Sequence, residues 1–568
     1  MSTSPALPAA PSAAELFTPK LITVLREGYG WRDLRADVIA GLTVAIVALP
    51  LSMAIAIASG VSPDRGLYTA AIGGFLISAL GGSRFQIGGP AAAFTVLVAA
   101  TVSRHGIDGL ALAALMAGAI LIALGVLRLG SYIKFIPYPV TVGFIAGIAA
   151  ILLVGQVGDL LGLTMAENPA EIVPKAAALW AALPSFNGAA LAISVGTVAV
   201  IVLLRRVAPR LPGILIAVAL GALAVCLLNL PVETIGTRFG GIPNTLPAPA
   251  LPEISLAKMQ AVLPDAIAFA LLGAIESLLS AMVADGMTGR RHRSNMELVA
   301  QGVANIGAVL FGGITATGTI ARTATNVRAG ARGPLAGIFH ALFILVFMFV
   351  AAPLASYIPL AALAGVLVIV AWGMVEKPAI VALLRSSKGD ALVLLITLVL
   401  TVFVGLSEAI VVGFALGTLL FIHRMAQATT IVPGLPQVAE DVPDEAGRPP
   451  YDAALASNPQ IAVYRISGAF FFGAAATVGA VLDRIADQHQ AFVIDFAAVP
   501  MIDSTAANAI EVIARKAARG GVLLYVSGAA PAVRQMLVAH GVRTPEVTYA
   551  ATLEAAVEAA EERLAAAP

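Results

Sequence analysis

Long apolar runs follow one another from about residue 37 to residue 424, and this succession constrains the fold more than any other feature. Most of the runs are long enough to cross a hydrocarbon core of about 30 Å. The chain of 568 residues is 59% hydrophobic and 12% charged, with a mean hydropathy of +0.93. A soluble protein of this length does not have that balance, so the sequence predicts a polytopic α-helical membrane protein.

The charged residues exclude some functions and predict an orientation. A formal net charge of +1 gives no basis for nucleic-acid binding. Loops such as 159–171 and 233–253 are acidic or poor in basic residues, and basic clusters fall between them. About fourteen spans place every basic cluster, and both termini, in the cytoplasm. The lone Cys226, scattered histidines and absence of a nucleophile–base pair predict no metal site, no cofactor and no enzyme activity.

One stretch, from Pro264 to Pro334, carries polar residues inside an otherwise apolar run. Pro264 is expected to start a helix, because its missing N–H is harmless there. Glu276 follows twelve residues later, so a rise of about 1.5 Å per residue places its carboxylate about 18 Å into the helix, near the bilayer midplane. Ser280 lies one turn further on the same face. A carboxylate at that depth needs a partner, a wet cavity or a proton, which makes Glu276 a functional candidate.

Further along the same stretch, Gly312–Gly313 precedes a hydroxyl-rich segment that contains Arg322. The segment is too polar and too short for a lipid-facing span, and it predicts a broken helix whose N-terminus points into the protein. The first half repeats this order. Pro50 is expected to interrupt the span 38–59, and Gly88–Gly89–Pro90 to restart a short helix with the proline in its first turn. Matching interruptions predict an inverted-repeat transporter, whereas the alternative is two unrelated glycine-rich regions.

The composition changes after residue 428. Residues 429–459 are rich in Pro, Asp and Glu, which is typical of a linker. Buried strands and amphipathic helices alternate over residues 460–562, which predicts a cytoplasmic α/β domain with a mostly parallel or mixed sheet. Asp503–Ser504–Thr505 stands between the second strand and its helix, where it provides an N-cap.

Together these motifs resemble the SulP anion transporters (solute carrier family 26). The resemblance rests on PLSMA at 50–54, GLYTAAIGGFLISALGGSRFQIGGPAAA at 66–93, NMELVAQGVANIGAVLFGG at 295–313 and TGTIARTATNVRAGA at 317–331. The C-terminal part resembles a STAS domain (sulphate transporter and anti-sigma antagonist). Within the family, the second half is most similar to the bacterial branch that includes the enterobacterial C4-dicarboxylate transporter.

The resemblance implies an architecture and an assembly. A cytoplasmic segment (1–36) would precede a transmembrane domain (37–428) of about fourteen segments in a 7+7 inverted repeat. Spans 1–4 and 8–11 would form a core domain and spans 5–7 and 12–14 a gate domain, with elevator-like movement of the core. A homodimer in the bacterial inner membrane and a cytoplasmic partner of the STAS domain are also implied.

The resemblance further implies the anion site, between the facing N-termini of spans 3 and 10. The substrate-binding residues carried onto this chain are Ser52, Gly89, Pro90, Ala91, Ala92, Thr317, Gly318, Thr319, Ile320, Ala321 and Arg322. Helix N-termini attract anions independently of any family. Glu276 and Ser280 match the positions of a coupling-ion site. Burial disfavours the charged form of a carboxylate, which suits a proton carrier, and sodium is the alternative.

Each candidate has a structural alternative. Arg322 would be an interfacial anchor or the partner of a loop carboxylate, and Glu276 the partner of a buried donor. Ser52 and Ser280 would be hydroxyls bonded to their own helices. Ser504 occupies the position that is phosphorylated in soluble STAS proteins, although helix capping also accounts for it. Asp265 and Glu297 are expected to be solvated caps, as they lie near span ends.

The sequence therefore predicts a secondary active transporter that moves a small anion inward. On the resemblance alone, the expected substrate is a C4-dicarboxylate (succinate, fumarate or aspartate) carried with a proton. Sulphate or bicarbonate, with a proton or sodium, is the alternative. An uncoupled anion channel, or a sensor that signals through the STAS domain, remains open from a different class.

Overall fold

The computed structural model describes residues 16–131, 137–165, 169, 171–208, 211–427, 430–433, 460–471 and 490–566. Contacts divide the chain into two compact units, Met1–Gly417 and Thr418–Pro568. Most of the predicted linker and a helix expected at 477–489 lie outside the described residues.

The first half of the membrane part is helical except for one short strand. Its elements in chain order are α1 (Lys20–Arg26), α2 (Trp31–Ala58), α3 (Pro63–Tyr68), a π-helical turn (Thr69–Gly73), α4 (Gly74–Leu80), β1 (Gly88–Gly89), a 3₁₀ turn (Ala92–Phe94), α5 (Thr95–Val126), α6 (Tyr138–Leu161), α7 (Ile172–Ala182), α8 (Gly188–Val207), α9 (Gly213–Leu228) and α10 (Ile235–Phe239).

The second half repeats this order of long helices around one short strand. It consists of α11 (Leu256–Thr288), α12 (Ser294–Leu310), β2 (Thr317–Gly318), α13 (Ile320–Arg328), α14 (Leu335–Ala355), α15 (Leu360–Met374), α16 (Lys377–Ser386), α17 (Lys388–Phe403) and α18 (Leu406–Gln427).

Eight helical stretches among the described residues are long and apolar enough to cross a membrane. One of them, α5, holds two segments, since Gly106 adopts φ 69° and ψ −174° in its middle. With α3–α4, α9, α12, α13 and α17 added, the described helices supply seven segments in each half. This is the predicted seven-plus-seven arrangement.

Three prolines do not act as the sequence predicts. Helix α2 continues through Pro50 without interruption. Helix α11 begins at Leu256 with Ser255 as its N-cap, so Pro264 lies inside the helix rather than at its start. Pro90 precedes Ala91, the extended N-cap of the 3₁₀ turn, and does not lie in a helical turn. Neighbouring helices in a membrane protein satisfy the carbonyl that a proline leaves free, so local propensity is overridden.

The helices of the membrane part pack in two groups. Helix α5 packs against α11 and α12, and α14 packs against α2 and α4. In the second group α6 packs against α15 and α17, and α8 against α9 and α15, while α9 and α15 also contact α2 of the first group. Gly118 and Gly302 allow α5 and α12 to approach so closely that a Cβ on either would come within 2.7 Å of the other's carbonyl oxygen. Small residues at such crossings permit backbone contact in membranes.

The C-terminal unit contains a five-stranded mixed sheet. Strand β4 pairs antiparallel with β3, and β4 to β7 are parallel neighbours in that order. Its elements are β3 (Thr430–Pro433), β4 (Ile461–Ser467), β5 (Ala491–Ala498), α19 (Ser504–Arg519), β6 (Leu523–Ser527), α20 (Pro531–Ala539), β7 (Val547–Ala550) and α21 (Leu553–Ala565). Strand β3 thus lies within the segment 429–459 that the sequence analysis assigns to the linker. Pro433 ends β3 at the sheet edge, where a missing N–H is tolerated.

Asp503 is the N-cap of α19, as its position after β5 predicts. Its Oδ1 accepts a hydrogen bond from Ala506 N at 2.8 Å. Replacing Asp503 by Ala should destabilise α19 by about 1 kcal/mol, because it leaves a helix N–H without its acceptor. Hydrogen exchange of the 504–519 peptide in the full chain should then be roughly fivefold faster. Asp503→Asn keeps an acceptor and should exchange like the wild type, so equal acceleration in both variants would contradict a capping role.

Candidate anion-binding site

A two-stranded antiparallel bridge joins the two halves of the membrane part. Gly88 pairs with Gly318 and Gly89 with Thr317. Just beyond the bridge, Thr319 N donates to Ile87 O at 3.0 Å. Gly318 is tightly packed, since a Cβ there would lie 1.5 Å from Nε2 of Gln86 and would force that side chain to shift. The bridge therefore brings two breaks that are far apart in sequence into one place.

A helix N-terminus follows each strand of the bridge. Ala91 is the N-cap of the 3₁₀ turn that leads into α5, and Thr319 is the N-cap of α13. The first backbone N–H groups of a helix have no acceptor within it and carry its positive dipole end. Ala92 and Ile320 are half-buried and Ala321 is exposed, so this surface is accessible. The predicted broken helix is present, and α13 is only nine residues long.

Arg322 lies one turn into α13 and is the largest fully buried side chain among the described residues, at 1% exposure. Its Nη2 donates to Ser52 Oγ at 3.1 Å and to Pro90 O at 3.2 Å. Its Nη1 faces Gly89, where a Cβ would lie 2.1 Å away. Nε and Nη1 have no acceptor, and no carboxylate of the described chain lies within ion-pair distance. A buried guanidinium without a counter-charge is costly, so it needs an anion.

Two serine hydroxyls of the predicted site, Ser52 at the substrate and Ser280 at the coupling ion, are already engaged. Ser52 Oγ donates to Ala48 O at 2.7 Å and therefore has only its acceptor side for Arg322. Ser280 Oγ bonds Thr323 Oγ1 at 3.0 Å. The expected alternative, a hydroxyl bonded to its own helix, thus applies to Ser52 but not to Ser280. Neither hydroxyl is the natural donor to an anion, which leaves that role to backbone N–H groups and the guanidinium.

Glu276 lies on the face of α11 that meets β2 and α13. Gly273, about one turn before it, accepts a hydrogen bond from Thr317 Oγ1 at 3.3 Å, and Ser280, about one turn after it, bonds Thr323. Glu276 itself is 8% exposed, and none of the described residues donates to its carboxylate. The alternative of a carboxylate satisfied by a buried donor therefore does not hold. An acidic group held beside the bridge without a partner can accept a cation.

Sequence reasoning missed several polar residues around the bridge. Thr323 Oγ1 accepts from Ile87 N at 3.1 Å, and Asn326 Nδ2 donates to Phe85 O at 2.9 Å. With Thr319 they form a polar face at i, i+4 and i+7, a helical spacing that was present in the sequence. His340 on α14 is fully buried with neither ring nitrogen bonded, and no pattern around it signals this.

Comparison with known proteins places this architecture in a family. The sulfate permease family model matches residues 34–397, and a STAS domain model matches residues 452–556. The chain belongs to the sulfate permease family. It is 41% identical to the putative sulfate transporter YvdB of Bacillus subtilis, over 79% of this chain and 82% of that one. It is 31% identical to the bicarbonate transporter BicA of Picosynechococcus, over 89% and 91%.

A solved structure carries the same fold. The murine solute carrier 26 family member A9 anion transporter matches with a TM-score of 0.84 over 99% of this chain and 96% of that chain, at 17% identity. The protein is thus a membrane anion transporter of the sulfate permease family and not an enzyme. Both relatives are named for sulfate or bicarbonate. These names favour the alternative substrates over the C4-dicarboxylate that the sequence resemblance put first.

Proposed function

We propose that this transporter carries a small inorganic oxyanion, bicarbonate or sulfate, into the cell, with the anion held at the β1–β2 bridge. The observation that carries the proposal is Arg322, a buried guanidinium without a carboxylate partner beside two helix N-termini. Bicarbonate and sulfate are compact acceptors that such donors can surround. The names of the relatives support the same choice.

We assign cation coupling to Glu276, with Ser280 as its neighbour. Loading the anion adds negative charge to a site that already holds a carboxylate, so a proton or sodium ion on Glu276 restores the balance with Arg322. The helices that carry the bridge, Glu276 and Arg322 pack together, whereas α6, α8, α9, α15 and α17 form the other group. In this proposal the first group moves against the second in an elevator-like step, within a homodimer whose termini are cytoplasmic.

The experiment measures uptake of labelled bicarbonate, sulfate and succinate into proteoliposomes under an imposed proton or sodium gradient. Wild type should accumulate bicarbonate or sulfate and saturate. Glu276→Gln keeps the size of the side chain but cannot hold a cation by charge. Its uptake should lose the dependence on the gradient and fall by at least about tenfold, the loss of about 1.4 kcal/mol of coupling.

Each of the other possible results supports a different substrate, function or role for Glu276. Proton-driven succinate uptake would restore the dicarboxylate assignment. Flux that does not saturate and ignores both gradients would indicate a channel. A wild type that transports none of the three anions would favour a sensor that acts through its STAS domain. Gradient-driven accumulation that is unchanged in Glu276→Gln would assign that residue a structural role.

A further inference from the structure

The helix between the two broken segments, α12, carries a column of buried amides and a carboxylate. Glu297, Gln301 and Asn305 recur every four residues, so they lie on one face. Glu297 and Gln301 are fully buried and Asn305 is 3% exposed. The expectation that Glu297 is a solvated cap is therefore wrong. Asp265 is also buried and pairs with Arg104 at 2.8 Å. Burying three large polar side chains in a membrane helix costs free energy that only specific bonds recover.

The N-terminal end of this column holds the segment that leads into β1. Glu297 Oε2 accepts from Ser83 N at 2.9 Å. Arg293 N, at the start of the helix, donates to Gly82 O at 2.9 Å. A Cβ on Gly82 would come 2.1 Å from Arg293 O, so the two backbones are in direct contact. The turn before β1 is thus fixed to the first turn of α12.

The C-terminal end of the column holds the segment that leads into β2. Asn305 Oδ1 accepts from Ala316 N at 3.0 Å, and Nδ2 donates to Ala316 O at 2.8 Å. The side-chain amide therefore pairs with one residue in the way a neighbouring strand would. Ala316 directly precedes β2. Nδ2 also donates to Gln301 O, and Gln301 Nε2 donates to Glu297 Oε1 at 3.0 Å, which links the two ends.

We propose that Glu297, Gln301 and Asn305 are positioning residues that hold the β1 and β2 segments at a fixed separation. This role rests on the proposed anion site at the bridge. Strands of two residues are too short to hold their own geometry. A helix is rigid over the rise from Glu297 to Asn305, which is about 12 Å, so it can set the distance between the two anchored turns. The bridge then keeps its shape while its group of helices moves against the other group.

The test compares two asparagines of α12, Asn305 and Asn295, whose Oδ1 atoms each accept a hydrogen bond from a backbone N–H. Asn295 Oδ1 accepts from Gly130 N at 3.0 Å, a residue remote in sequence from both bridge strands. Asn305→Ala should raise KM for labelled bicarbonate or sulfate roughly tenfold, equivalent to about 1.4 kcal/mol, with a smaller change in kcat. Asn295→Ala should leave KM within about twofold. Equal KM changes in the two variants would overturn the proposal.

A second variant covers the case in which Asn305→Ala does not fold. Glu297→Gln has the same size but one acceptor oxygen where the carboxylate has two. Either Ser83 N or Gln301 Nε2 then loses its acceptor. KM should rise in this variant as well, and hydrogen exchange of the 83–92 peptide should accelerate. Wild-type values of both quantities in Glu297→Gln would overturn the proposal.

Hydrogen exchange also separates this proposal from the anion assignment, because it needs no substrate. In the full-length protein, Asn305→Ala should accelerate exchange in the 313–322 peptide about tenfold, whereas Asn295→Ala should not. If wild type carries none of the tested anions but this contrast appears, the positioning role stands and the substrate assignment falls. If wild type carries an anion and the contrast is absent, the positioning role falls alone.

Discussion

Arg322→Gln should reduce kcat/KM for the transported anion by at least about a hundredfold. The guanidinium is buried and has no carboxylate partner among the described residues. It lies beside the bridge, in contact with Gly89 and Pro90. A unit charge about 4 Å from an anion is worth about 4 kcal/mol at an effective dielectric constant near 20, which is roughly several hundredfold in affinity. Initial rates of uptake over a range of substrate concentrations measure the loss.

Two further variants separate charge from packing. Arg322→Lys keeps the charge but has one donor nitrogen in place of the planar guanidinium, so it cannot present further nitrogens such as Nε and Nη1 to an anion and should retain only part of the activity. Arg328 is on the same helix, exposed, and Arg328→Gln should transport like the wild type. Full anion affinity in Arg322→Gln, together with a lowered thermal unfolding midpoint, would mean that the guanidinium is only a structural brace.

The architecture was predictable because membranes impose it. Runs of about twenty apolar residues must be helices in lipid. The change of composition after residue 428 indicates a second unit. The broken segments were also visible, since Gly88–Gly89 and the hydroxyls of 315–325 cannot face lipid. Pro50 and Pro264 gave wrong predictions of helix boundaries. The packing of many residues, rather than one proline, determines where these helices begin and end.

The details of the site were less predictable, for a physical reason. Arg322, Glu276 and Ser280 stand out as polar residues in apolar runs, so the sequence singles them out. Their partners do not. Nothing local says that Ser280 meets Thr323, or that Asn305 imitates a strand beside Ala316, because these contacts join segments that only the fold brings together. The anion surface itself consists of backbone N–H groups, which have no residue code.

Gly89→Ala should weaken anion binding by at least about a hundredfold, as we expect for Arg322→Gln, although it changes no charge. Gly89 has φ +153°, a region that is essentially restricted to glycine, so a side chain there costs about 1–3 kcal/mol. A Cβ at this position would also lie 2.1 Å from Arg322 Nη1, inside contact distance. Either the guanidinium must then move away from the bridge, or strand β1 must shift away from the guanidinium. Binding of the labelled anion to the purified full-length protein measures the effect.

A matched glycine separates backbone strain from displacement of the guanidinium. Gly60 has φ +78°, and a Cβ added there would have no atom within 4 Å, so Gly60→Ala should cost about 1 kcal/mol of stability and leave anion affinity unchanged. Combining Gly89→Ala with Arg322→Ala tests the contact itself. If the clash dominates, the stability cost of Gly89→Ala should shrink by about 0.5–3 kcal/mol in that background. An undiminished cost would mean that strain in β1 alone distorts the site, and that Arg322 is displaced only as a consequence.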